Sequence, residues 1–346
     1  MKKILQERDR RISASHNSYI RKVGPPHSRS KKRKNAAISY FNRRVIFSPV
    51  DLSLSSKELH TSTMEFICAI ESESKLHRVF VDFQYVTDIS AAALVLLAGH
   101  LDRLVSKRPS GQIVIGSKTS TSKAGLFLEE SGLSYVVNRS SGPSDDGVIC
   151  GSGSVHRFLD EIMGRVSLEG FHDEMTAEQE LLCYAAISEA LLNVHYHAYK
   201  YASDDDKINK PWWLYTKVSF GKLHLALYDR GAGIPETLPR RPFFDRLKQL
   251  VELNIHSDAS LISGAMEASR TSTGMEKHGK GSVNIKALVD SDASCHLLIY
   301  SNRGLYQHKL GEQDILADVP RSVMGTLLQW VIPIRPVLGG KDEKRD

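Results

Sequence analysis

The segment LHLALYDRGAGIP, Leu223 to Pro235, narrows the choice of fold more than any other in the chain. Leu223, Leu225 and Leu227 alternate with His224, Ala226 and Tyr228, the period of a β-strand. The strand ends at Asp229, and Gly231 and Gly233 follow directly. Glycine lets a backbone turn sharply and approach a neighbour closely. An acceptor at a strand end beside such glycines suits an amino-purine edge.

Upstream lies a helical pattern. In a run beginning near Thr176, Ile187, Leu191, Val194 and Ala198 recur at spacings of four, three and four, one buried helix face. Glu189, Asn193 and His197 lie four apart and are predicted to stack along a second stripe. A carboxylate there can orient a water or accept a proton, and an amide oxygen can ligate a hard cation such as Mg²⁺. His195 and His197 are two apart and point different ways on a helix, so no zinc site is predicted. About 45 residues past the first glycines comes HGKGSVNIKALVD, where Gly279 and Gly281 lead into a helix start, a ready phosphate site.

Three such pieces in this order resemble the GHKL (Bergerat-fold) ATPases, which include gyrase, heat-shock chaperone, histidine-kinase and mismatch-repair ATP domains. The helix is closest to that of the anti-sigma-factor serine kinases: Glu, three residues, Asn, three residues, His, a small residue, an aromatic. The resemblance covers roughly residues 153–335. It implies ATP and Mg²⁺ as cofactors, with Glu189 the general base or water-orienting group and Asn193 the Mg²⁺ ligand. His197 matches the family's helix-end histidine. Asp229 would accept from the adenine amino group, with Thr326 beside it on the closing strand. Gly231, Gly233, Gly279 and Gly281 would shape the walls. Lys280 would either reach a phosphate or face solvent on the lid formed by SRTSTGMEKHG.

The rest of the chain reads as a second α/β unit. VFVDFQYV, Val79 to Val86, is a dense strand-forming run, AAALVLLAGHLDRLV a helix and QIVIGS another strand. Further helices are predicted over Ser55 to Ser74 and Thr121 to Glu130. Strands alternating with helices imply an α/β layer fold. This part resembles a STAS domain, whose strand–Asp–Ser–helix junction carries a regulatory phosphoserine. Aligned through Asp88, the modified position here is Ile89, and Ser90 reads as a helix N-cap. The predicted organisation is a basic tail over 1–44, a STAS-like domain over 45–139, and a Gly/Ser/Asp-rich linker over 140–154. A Bergerat α/β two-layer sandwich over 155–335 and a charged tail over 336–346 complete it. Ser203 to Lys210 is predicted to be a polar loop, and Trp212 and Trp213 to be core residues.

Charge separates the tail from the rest. Residues 1–44 hold 14 Lys and Arg against Glu7 and Asp9, a balance of +12, which leaves −6 elsewhere in a chain of net charge +6. Such a segment binds nucleic acid or an acidic partner, or merely solubilises; both readings stand. No apolar run approaches a membrane span, and the basic start lacks the apolar core of a secretory signal. The four cysteines are scattered without a C-x-x-C pair, which predicts reduced thiols and a cytoplasmic location.

Function within the family stays open between three classes: an ATP-driven conformational switch with slow hydrolysis, a serine/threonine protein kinase of the anti-sigma type, and a non-enzymatic ATP- and nucleic-acid-binding module. A histidine kinase is not expected, since no long dimerisation helix precedes the ATP domain. A topoisomerase is not expected either, since almost nothing follows it. A protein partner is expected, whether a regulatory target or a second copy in an oligomer.

Overall fold

The computed structural model describes residues 39–40, 42–116, 128, 130–138, 147–152, 159–164, 176–219, 221–250, 253–271 and 281–333. Several expectations lie outside the described residues: the tail to residue 38, most of the helix over Thr121 to Glu130, the lid stretch 272–280 with Gly279 and Lys280, and the terminus from 334. The described residues form an α/β fold.

The first half runs Ser39–Tyr40 (β1), Arg43–Phe47 (β2), Asp51–Leu52 (β3), Lys57–Leu76 (α1), Val79–Asp82 (β4), Asp88–Ile89 (β5), Ala91–Ser106 (α2), Ile113–Gly116 (β6) and Leu133–Asn138 (α3). Its main sheet has the order β1-β2-β4-β6, with β2, β4 and β6 parallel. Parallel neighbours need a crossover, which α1 and then α2 supply. All four residues of β4 are buried, as a central parallel strand requires. The α2 helix starts where Ser90 Oγ accepts from the Ala93 amide at 3.2 Å, so Ser90 is a cap. Every residue from Ala91 to Leu101 is buried. A helix apolar all round must be covered all round.

The second half supplies the missing cover. After Ile149–Gly151 (β7) and a helical stretch at 159–164 come Ala177–Asn193 (α4), a π-helical turn over Val194–Ala198, and Asp204–Asn209 (α5). Trp212–Ser219 (β8), Lys222–Asp229 (β9), Ile234–Thr237 (α6), Phe244–Leu250 (α7), Asp258–Thr271 (α8) and Gly281–Asp290 (α9) follow. His296–Ser301 (β10), Gly304–His308 (β11), Ile315–Asp318 (β12) and Thr326–Pro333 (β13) complete the described chain. The strands form one antiparallel sheet in the order β12-β11-β10-β13-β9-β8-β7.

Strand alternation divides this sheet between two cores. Leu214, Leu225, Leu227, Leu297, Ile299 and Trp330 join α4 and α9 on one face. Trp213, Tyr215, Ala226, Tyr228, Tyr300 and Leu327 join α2 on the other. The α2 backbone lies so close that a Cβ on Gly99 would come within 2.7 Å of the Tyr228 ring. Polar ties follow the same seam: Trp213 Nε1 donates to Asp102 at 3.1 Å, Arg103 grips Asp206 at 2.9 and 3.1 Å, and the Tyr300 hydroxyl donates to the Leu54 carbonyl at 2.6 Å. The two halves therefore share a core.

Two local expectations change. Within the stretch read as a linker, Ile149–Gly151 is an edge strand paired with Trp212 to Leu214. Gly151 makes that pairing fit, because a Cβ there would strike the Trp212 ring at 2.0 Å. The stretch read as a polar loop after Ser203 is the short helix α5, with Ser203 as N-cap and acidic residues favoured at its positive end. Trp212 and Trp213 are both buried, one on each face of the sheet. Among the described residues, no helix is long and apolar enough to cross a membrane. All four cysteines are free thiols.

Candidate functional site

The α4 helix is started by a capping box: the Gln179 amide donates to Thr176 Oγ1 at 3.2 Å, and the Thr176 amide donates to Gln179 Oε1 at 3.0 Å. Cys183, Ala186, Ile187, Ala190 and Leu191 then bury one face against the sheet. Glu189 and Asn193 lie one turn apart beside that face, both half-buried. Among the described residues, neither side chain has a hydrogen-bond or ion-pair partner. Burial holds the Glu189 carboxyl above its ordinary range. That direction moves a carboxylate toward the pKa useful in a general base at neutral pH.

His197 is half-buried within a π turn, Val194–Ala198, that directly follows Asn193. Its hydrogen bonds run i to i+5, so the helix widens there. The sequence spacing is equally consistent with an uninterrupted α-helix. The wide turn ends against the glycine loop: the Ala232 amide donates to the Ala198 carbonyl at 2.8 Å. A Cβ on Gly231 would lie 2.4 Å from that same oxygen, so glycine is required there.

Asp229 ends β9 with its side chain buried. The Gly231 amide donates to Oδ1 at 2.8 Å, and the Thr326 amide also donates to the carboxylate. Burial outweighs these donors and pushes its pKa from 3.8 up to about 7. A carboxylate has about four acceptor directions, so two backbone donors leave capacity for a ligand's amino group. Thr326 is the cross-strand partner of Asp229. Its hydroxyl lies 3.0 Å from Ser301 Oγ, which accepts from the Ile234 amide at 2.8 Å. Gly325, at φ +141°, lies against the Asp229 backbone, where a Cβ would be 2.0 Å from the carbonyl oxygen. Gly233 takes a left-handed φ of +83°, and the Asn302 amide group donates to the adjoining Ala232 carbonyl at 2.9 Å.

The structure thus joins the end of α4, the Asp229–Gly233 loop and the start of β13. Gly281 opens α9, which packs along α4; Gly279 and Lys280 lie outside the described residues. Sequence reasoning missed four residues that hold this junction: Tyr199, Arg230, Ser301 and Asn302. Tyr199 Oη accepts from the Arg230 amide at 3.0 Å and donates to the Pro211 carbonyl at 2.6 Å. Asn302 takes a left-handed φ of 50° between β10 and β11. Its Asn-Arg-Gly sequence was the available signal.

Among the described residues, no group of three or more His, Cys, Asp and Glu side chains is arranged to hold a metal ion. A single Asn193 oxygen would suit Mg²⁺ only as one ligand among waters and phosphates. No protein-family model matches this sequence, and no curated protein matches it.

Proposed function

We propose that the second half of the chain binds Mg·ATP as a GHKL-type module and works as an ATP-dependent conformational switch with slow hydrolysis. The observation that carries this reading is the meeting of a buried, incompletely used acceptor, Asp229, with a helix whose Glu189 and Asn193 are left unpaired. Neither side chain is taken up by the protein's own hydrogen bonds among the described residues, so both are free to meet a ligand. The antiparallel sheet with α4 and α9 on one face supports the same reading.

Asp229 would hold the adenine amino group with Thr326 beside it, and Asn193 would hold the cation. When bound, Mg·ATP supplies a γ-phosphoryl group open to attack by water or a partner's hydroxyl. Glu189 orients that nucleophile and takes its proton on a carboxylate oxygen. Asp229 reads the base best when ionised, so affinity is expected to fall as pH drops below about 7.

Incubation of the full chain with γ-labelled ATP and Mg²⁺ tests the class. Slow release of free phosphate is the expected result. Label transferred to protein would make it a kinase of the anti-sigma type. Tight ATP binding with neither product would make ATP a structural ligand.

A further inference from the structure

Asp229 is flanked by two side chains that reach away from the candidate site and into the first half of the chain. Arg230 Nη2 donates to Glu71 Oε1 on α1 at 2.8 Å. The same oxygen meets His100 Nδ1 of α2, also at 2.8 Å. His100 Nε2 lies 3.2 Å from the Tyr228 hydroxyl, and the two rings stack. The Tyr228 hydroxyl also lies 2.9 and 3.0 Å from the carbonyls of Val323 and Met324, directly before Gly325 and Thr326. Glu71, His100, Tyr228 and Arg230 are all largely or wholly buried.

These contacts share one logic. Burial opposes the Glu71 charge, but the His100 hydrogen bond and Arg230 outweigh it and hold its carboxyl below the ordinary range. Burial lowers the His100 pKa, and the ring bridges the Glu71 carboxylate on Nδ1 and the Tyr228 hydroxyl on Nε2. One carboxylate therefore fixes the residue after Asp229 directly and the residue before it through His100. It also bears on the 323–325 segment that delivers Thr326. The opposite side of Arg230 is held by Tyr199, at the end of the helix that carries Glu189 and Asn193. The loop is thus held from both modules.

We propose that Glu71 is a positioning residue for the adenine end of the nucleotide site, acting through Arg230 and His100, so that nucleotide affinity depends on how the first α/β module is seated. This rests on the reading of Asp229 as the base acceptor. By reciprocity, whatever nucleotide gains from the seated module, the seating gains from nucleotide. A partner that pulls on α1 or α2 would then control ATP affinity without touching the site.

The test is calorimetry of Mg·ATP and of Mg·tripolyphosphate with the full chain and its Glu71→Gln, Arg230→Met and double variants, each checked for folding by circular dichroism. The expected result is ATP binding about tenfold weaker in each single variant, a coupling of about 1.4 kcal/mol. The double variant should be no worse than the weaker single one, and tripolyphosphate binding should not change. Unchanged ATP affinity in folded Glu71→Gln, or additive losses in the double variant, would overturn the proposal. Equal loss for ATP and tripolyphosphate would also overturn it, since it would signal general damage. If the variants fail to fold, hydrogen exchange on the wild-type chain decides: ATP should slow exchange in α1 and α2, and no change there would overturn the coupling. Wild-type protein that binds no ATP would remove the nucleotide reading itself. Loss of binding in Asp229→Asn with full binding in Glu71→Gln would remove only this inference.

Discussion

Two polar clusters lie on the same side of the long sheet, and the fold treats them oppositely. At the end of α9, His308 sits between Asp290 at 2.8 Å and Asp314 at 2.7 Å. Asp314 also accepts from the Tyr306 hydroxyl at 2.6 Å, and Lys286 lies 3.7 Å from Asp314 and 3.6 Å from Glu267. Each of these side chains has an ion-pair or hydrogen-bond partner. On the neighbouring helix α4, Glu189 and Asn193 have none among the described residues. One cluster is used up in the fold's own contacts, whereas the half-buried Glu189 and Asn193 remain available to a ligand. The closed cluster is expected to govern stability and the open one activity.

The sharpest break between the two is expected at Glu189. Glu189→Ala should leave the fold and ATP binding intact while lowering turnover by about 10²–10⁴-fold, the usual contribution of a positioned base. Single-turnover kinetics beside equilibrium binding check this, and equal losses in both would place Glu189 among the binding groups instead. The matching change in the closed cluster is Asp314→Ala. It strips His308, Lys286 and Tyr306 of their shared acceptor and should cost about 3 kcal/mol of stability, measured by urea unfolding, with ATP affinity per folded molecule unchanged.

Asp229 belongs to both categories and separates them by pH. Its pKa is raised by burial from 3.8 to about 7, so the folded state binds more protons than the unfolded state between those values. The stability it contributes is therefore complete below pH 4 and is lost as pH rises through 7. The stability difference between wild type and Asp229→Asn should shift against the wild type by about 2 kcal/mol from pH 4 to pH 8, at roughly 1.4 kcal/mol per pH unit and allowing for relaxation of the site. Denaturant melts at the two pH values check it; a constant difference would mean that the carboxyl is not desolvated. The smallest effect is expected far from either cluster. Ser90→Ala should cost about 1 kcal/mol through the lost cap, and Ser90→Asp, another good N-cap, should be tolerated. Thermal melts distinguish this from a phosphorylation switch, for which Ser90→Asp would change activity.

Local signals in the sequence reached as far as local physics reaches. The start of the helical run near Thr176, the cap at Ser90 and the alternation of β9 follow from neighbours a few residues away, and the structure has them where the pattern puts them. What covers the second face of β9 does not follow from that pattern. Ala226 and Tyr228 could have faced solvent; they are buried under α2, a helix over a hundred residues earlier. For the same reason nothing in the glycine loop itself points to the partner of Arg230, which is Glu71. The π turn was hidden because apolar spacings of three and four fit an α-helix as well. The β7 strand was hidden because three residues in a Gly/Ser-rich stretch carry too little periodicity to register, and their pairing is with Trp212 to Leu214.

The central claim is that Asp229 reads the base of a bound adenine nucleotide. Titration of Mg·ATP into wild-type and Asp229→Asn protein at pH 6 and pH 8, followed by calorimetry, tests it directly. The account predicts wild-type binding that is up to about tenfold tighter at pH 8 than at pH 6, because the acceptor must ionise, and no measurable binding by folded Asp229→Asn at either pH. Asp229→Asn protein that binds Mg·ATP as tightly as the wild type would contradict it.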